Sequence, residues 1–152
     1  MDFEKVFSDY YMFLQTLLDT TEIEHVGGSS VKGAITKGDL DIQVRISATN
    51  LEQIIQKLDT RFERKRAELW NEHFAIYADQ RSPLKVDIMV TVIGSPYDNF
   101  HRIRDVLQSN RDLLEEYNNL KVYHPNSSYD EYTENKKGFF GKILREYLDV
   151  QS

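Results

Sequence analysis

The sequence contains no cysteine. That absence excludes a disulfide scaffold, a thiolate metal site and a cysteine nucleophile. No apolar run approaches the roughly 18 residues of a membrane span, so no membrane partner is expected. Positive charge is in deficit: 19 Lys+Arg stand against 25 Asp+Glu, giving a net charge of −6 and a pI near 5.2. Such a chain is not a general nucleic-acid coat, which needs a basic surface, although local basic patches remain open. Internal repeats and low-complexity segments are missing too. Met1-Asp2-Phe3-Glu4-Lys5 is acidic and lacks the apolar stretch of an export signal, so the expected compartment is the cytoplasm.

What is present is enough for a core. Hydrophobic residues make up 40% and aromatics 12% of 152 residues, with nine Tyr and eight Phe. Wholesale disorder is thereby excluded, and the length suits one domain. Phe3, Val6, Phe7, Tyr10, Phe13, Leu14, Leu17 and Leu18 recur at three- and four-residue spacing, which predicts a helix over 2–19 ended by Thr20-Thr21. A short strand over 22–26 runs into a tight turn, Gly27-Gly28-Ser29-Ser30. From Asp39 to Ile46 apolar and polar residues alternate strictly, as on a half-buried strand.

Thr49-x-x-Glu52 reads as a capping box opening a helix through Ile54, Ile55 and Leu58. Strands are predicted over 61–69 and 73–79, then a turn at Gln80-Arg81-Ser82-Pro83 and a strongly β-prone run over 84–93. Ser95-Pro96 reads as a helix start. Residues 97–122 and 128–149 have helical patterns, broken at His124-Pro125-Asn126-Ser127, with a second capping box at Ser128-x-x-Glu131. The expected class is α+β: a small mixed sheet with helices on one face and a C-terminal helical segment. The sheet core falls at about 20–94 and the helical cover at about 95–150.

The chemistry concentrates in Gly27-Gly28-Ser29, residues 30–38, then Asp39-Leu40-Asp41. Aspartates at i and i+2 on a strand project from one face. Side by side they raise each other's pKa, a conflict that a divalent cation removes. Oxygen ligands without cysteine or clustered histidine favour Mg²⁺ or Mn²⁺. Asp87 interrupts the strongest strand between Val86 and Ile88. If that strand lies beside the 39–46 strand, three carboxylates converge and can hold two metals, as in-line phosphoryl displacement uses. The reading requires the Asp87 oxygens to stand beside the 39/41 pair and not to be buried in unrelated ion pairs; either outcome removes the enzymatic expectation and leaves a likeness of outline. Gly27 and Gly28 let the backbone approach a phosphate, and Ser29 or Ser30 adds a hydroxyl.

The order Gly-Gly-Ser, Asp-Leu-Asp, later strand Asp resembles the polymerase-β-like nucleotidyltransferase superfamily. Within it the chain is similar to the GrpB-like family over about residues 23–145. The matching stretches are His25 to Gly33, Lys37, Asp41-Ile42, Gly94-Ser95, Arg104-Asp105-x-Leu107, Tyr117, Leu120-Lys121 and Tyr132-x-x-x-Lys136-x-x-Phe139. The family carries Gly-Ser-Thr where this chain has Gly27-Gly28-Ser29, Pro where it has Lys32, and an apolar residue at Asp39. It carries His-x-His around Asp87 and Met89. Each departure moves this chain towards the superfamily triad.

The resemblance implies a small mixed sheet with helices on one face. It assigns Asp39 and Asp41 to the nucleotide-bound metal. Asp87 would hold a second metal and help to deprotonate the acceptor. Lys136, at the head of a basic run with Lys137, Lys142 and Arg145, either binds the triphosphate or lies on a solvated helix face. Lys37 is placed to reach phosphate. Arg61, Arg64, Lys65 and Arg66 form either a protected edge or a dock for an anionic acceptor.

The leading expectation is an enzyme that moves a nucleoside monophosphate from an NTP, with ATP as the abundant default, to an unidentified small molecule, protein side chain or RNA end. The others are a nucleotide-binding or regulatory module on the same fold, and a structural protein that uses its helical tail as a contact surface.

Overall fold

The computed structural model describes residues 2–122 and 129–149. Helix α1 (Phe3–Leu18) starts at Asp2, whose carboxylate accepts the Lys5 N–H at 3.2 Å. It stops where Asp19 turns left-handed at φ 54°. Strands β1 (Ile23–Val26), β2 (Leu40–Ile46), β3 (Glu63–Arg64), β4 (Phe74–Ala78) and β5 (Val86–Val92) form one sheet in the order β1-β2-β5-β4-β3. The β2/β5 pairing is parallel and the other three are antiparallel, so the sheet is mixed as expected.

Alternation along β2 and β5 divides the two faces. Leu40, Ile42, Val44, Val86, Ile88 and Val90 are buried against Leu14 and Leu18 of α1 and against Ile54 and Leu58 of α2 (Leu51–Asp59). Each such side chain contributes about 1.5–3 kcal/mol of burial. The opposite face carries Asp41, Gln43 and Arg45 on β2, and Asp87, Met89 and Thr91 on β5. Gln43, fully buried, gives its amide N–H to Thr91 Oγ1 at 2.9 Å and Asp98 Oδ1 at 3.2 Å, and its Oε1 accepts the His101 backbone N–H. Arg45 grips Asp98 through two bonds of 2.7 and 2.8 Å. This polar net ties α3 (Phe100–Ser109) to the second face. Beyond it α4 (Arg111–Val122) and α5 (Tyr129–Tyr147) build a second core, in which Leu107, Leu113, Tyr117, Phe139 and Ile143 close over Val31.

The structure corrects four local expectations. The 61–69 strand pairs only at Glu63–Arg64; Arg66 then turns left-handed and Ala67–Leu69 form a 3₁₀ turn. These exposed charged residues lie at a sheet edge, where nothing rewards longer pairing. Helix α2 has Asn50 at its cap with no side-chain bond, because a 3₁₀ turn at Ala48–Asn50 occupies the start and Thr49 pairs instead with Ser47 Oγ. Ser95-Pro96 lies in a turn, and α3 begins only at Phe100. The Asp98 carboxylate reaches back to the Gly94 N–H at 2.9 Å and bends the intervening chain. The 97–122 helix is two helices, split at the extended Asn110, whose Oδ1 caps α4 through the Leu113 N–H at 3.1 Å. The break at His124 to Ser127 and the Ser128 cap lie outside the described residues. Among the described residues no helix is long and apolar enough to cross a membrane.

Candidate active site

The parallel register places Asp41 directly opposite Asp87, with Val26 on the other flank of Asp41 at the end of β1. Leu40 and Ile42 are anchored in the core, so the strand's pleat turns the Asp41 carboxylate to the second face. Asp39 sits half-buried just before the strand. Burial pushes the Asp41 carboxyl up to about 6, and the nearby charges of Asp87 and then Asp39 push in the same direction.

The glycine turn is shaped around this carboxylate. Gly27 takes φ 76° and ψ −172°, a region essentially reserved for glycine, and a Cβ there would collide with Asp41 Oδ2. A Cβ on Gly28 would stand 2.7 Å from Lys121 Nζ and 3.1 Å from the Tyr117 hydroxyl. The turn is thus wedged between β2 and α4. Its closing bonds use the Ser30 and Val31 N–H groups, and those of Gly28 and Ser29 take no part. Ser29 Oγ pairs with His25 Nε2 at 2.9 Å, and Ser30 Oγ donates to Gly27 O. Both hydroxyls brace the turn. His25 stacks on Phe7, and burial, then the Arg104 charge, lowers its pKa to about 4.

A cavity of about 590 Å³ opens above the turn. Gly27, Gly28, Lys37, Asp39, Asp41, Lys121 and Lys136 line its polar side; Val31, Met89, Phe100, Leu107, Tyr117 and Phe140 line its apolar side. Lys121 Nζ donates to Ile35 O at 2.6 Å and lies over the Tyr117 ring at 4.5 Å. Burial, with the charges of Lys136 and Lys37, lowers its pKa to about 8. Arg104 also lines the cavity, but its guanidinium is engaged by Glu24 Oε2 at 2.7 Å and His25 O at 3.0 Å. Anionic and cationic walls therefore face one apolar-floored space, the arrangement that a phosphate chain with a metal counter-ion requires.

The predicted residues are gathered unevenly. Asp39, Asp41, Gly27, Gly28, Lys37 and Lys136 share the cavity, whereas Ser29, Ser30 and Asp87 are not in its wall. Asp87 stands beside Asp41 in the sheet, as the sequence reading requires. Its Oδ2, however, is held in a sheltered ion pair by Lys65 Nζ at 2.8 Å, and its Oδ1 is buried with no hydrogen-bond partner. The requirement that these oxygens be free of ion pairs is not met, and the expected metal and base roles of Asp87 lose their support. Among the described residues no group of three or more acidic or histidine side chains forms a ready metal cluster. The donor set still suits one hard divalent ion: Asp39 and Asp41 offer carboxylate oxygens whose mutual repulsion such an ion relieves. The sequence reading places Lys65 only in a basic cluster that is either a protected edge or a dock for an anionic acceptor, and Lys121 only among the residues of the family resemblance; it assigns neither to this site. Lys121 carries a weak signal in its helical spacing from Tyr117, which sets both on one side of α4. Lys65 carries none, since only the fold brings it to Asp87.

The GrpB protein family profile matches residues 1–146. A UPF0157 protein of Vibrio cholerae is 30% identical over 141 residues, covering 93% of this chain and 75% of that protein. The crystal structure of a conserved GrpB protein from Enterococcus faecalis superposes with a TM-score of 0.69 at 18% identity, over 96% of this chain and 94% of that one. The Cid1 poly(U) polymerase superposes with a TM-score of 0.51 at 17% identity, over 83% of this chain and 43% of the polymerase. The fold is therefore similar to that of nucleotidyltransferases, and over nearly its whole length this chain belongs to the GrpB family.

Proposed function

We propose that this protein is a metal-dependent nucleotidyltransferase, moving a nucleoside monophosphate from an NTP to an acceptor hydroxyl with release of pyrophosphate. The observation that carries the reading is the cavity lined by Asp39, by Asp41 packed against Gly27, and by Lys37, Lys121 and Lys136. In this reading the lysines take the phosphate oxygens, and the apolar side with Tyr117 receives the base. Asp39 and Asp41 would hold Mg²⁺ or Mn²⁺, which supplies charge neutralisation at the α-phosphate. The acceptor oxygen forms its bond to the α-phosphorus as the bond to pyrophosphate breaks, and the hydroxyl proton passes to water, because Asp87 is held by Lys65 outside the cavity wall.

The test is incubation of the protein with cell extract, Mg²⁺ or Mn²⁺ and each of the four α-labelled NTPs. Label is expected in an acceptor, with pyrophosphate released, and Asp41→Asn is expected to abolish both. Undiminished transfer by that variant overturns the mechanism. One observation favours a second reading, a module that binds nucleotide without turnover: the hold of Lys65 on Asp87. That reading predicts metal-dependent nucleotide binding with no label transferred.

A further inference from the structure

We propose that Lys65 is the resident cation of Asp87, and that it limits the site to one divalent ion, held at Asp39 and Asp41. This inference rests on the nucleotidyltransferase reading and adds to it the number of ions and the residue that sets that number. Lys65 follows the two-residue edge strand β3, and its N–H still bonds Ile76 O on β4 at 3.0 Å. The backbone is thereby fixed beside β4, one strand removed from β5, and the Lys65 ammonium reaches across to Asp87 Oδ2 at 2.8 Å. The pair is sheltered, with the Asp87 side chain 15% and the Lys65 side chain 31% exposed. Removing the ammonium would leave a largely desolvated carboxylate opposite Asp41, already a site of like-charge repulsion.

Charge and geometry agree on one ion. Three carboxylates are neutralised by one ammonium and one divalent ion, and a second dication on Asp87 would press against the ammonium across the same oxygen. No three carboxylates among the described residues form a shared metal cluster.

The experiment counts Mn²⁺ bound per chain by electron paramagnetic resonance, with Mn²⁺ alone as the probe. Wild-type protein is expected to bind one ion, Lys65→Met two, and Lys65→Arg one again, because the charge is restored. Asp41→Asn is expected to bind none. Thermal melting of each variant establishes that it is folded, and Lys65→Gln replaces Lys65→Met if the latter does not fold. Two ions in the wild type, or one ion in both uncharged variants, overturns the role of Lys65 while leaving the metal-dependent reading in place. No ion in any variant overturns both.

Discussion

The carboxylate of Asp41 fills the space where a side chain at Gly27 would begin. Gly27 opens the turn that follows β1 and Asp41 is the second residue of β2, so a single contact joins the turn to the acidic wall of the cavity. The left-handed backbone of Gly27 adds a second reason for glycine there. Gly27→Ala is therefore expected to lose about 1–3 kcal/mol of stability in urea unfolding and to weaken metal binding. Gly138, in helix α5 with nothing within 4 Å of its Cβ position, provides the opposite case. Gly138→Ala is expected to gain about 1 kcal/mol in the same measurement.

The raised pKa of Asp41 makes a pH prediction. Its folded-state pKa, about 6, lies above the ordinary carboxylate value, so the folded protein binds the extra proton. Stability from this group is therefore lost as pH rises from about 4 to about 6, by about 2 kcal/mol. Urea unfolding of Asp41→Asn between pH 4 and 8 is expected to lack that decline and to be more stable than wild type at pH 7. Added Mg²⁺ is expected to recover part of the same stability in the wild type alone.

His25 acts in the opposite direction. Burial against Phe7, with the Arg104 charge nearby, keeps it neutral in the folded state down to about pH 4. The unfolded chain takes up that proton below about 6.5, so stability falls as pH drops from 6.5 towards 4, by about 2–3 kcal/mol. An NMR titration of the His25 ring is expected to show no protonation at pH 5.5. Protonation near 6.5 contradicts the packing described for the turn.

Lys121 is expected to set the upper pH limit of nucleotide binding. Held over Tyr117 and beside two other lysines, it loses its proton well below the ordinary lysine range. Calorimetric affinity for an NTP with Mg²⁺ is expected to fall as pH rises through about 8. Lys121→Gln is expected to bind about 10-fold more weakly at pH 7, as fits the loss of one charge-assisted hydrogen bond.

Much of this arrangement was legible in local sequence. Strict alternation from Leu40 to Ile46 located β2 and identified its two faces, and Asp87 between Val86 and Ile88 marked the same face of β5. Those signals work because strand geometry repeats every two residues. The break at Asn110 was hidden because an asparagine inside a helical pattern reads as a tolerated interior residue, until its side chain is seen to cap the next helix. The short β3 was hidden because edge position, and not propensity, ends it. Lys65 meets Asp87 only through long-range packing, which leaves no local spacing to read, and Lys121 shows locally only its spacing from Tyr117, not its approach to the Gly28 turn.

The central claim is that Asp39 and Asp41 hold a divalent ion against a nucleotide's phosphates inside this cavity. Thermal melting of wild type and Asp41→Asn, each with the four NTPs in Mg²⁺, in Mn²⁺ and without metal, tests it most directly. The account predicts that at least one NTP raises the wild-type melting point only when metal is present and leaves that of Asp41→Asn unmoved. No metal-dependent rise with any NTP, or an equal rise in the variant, contradicts it.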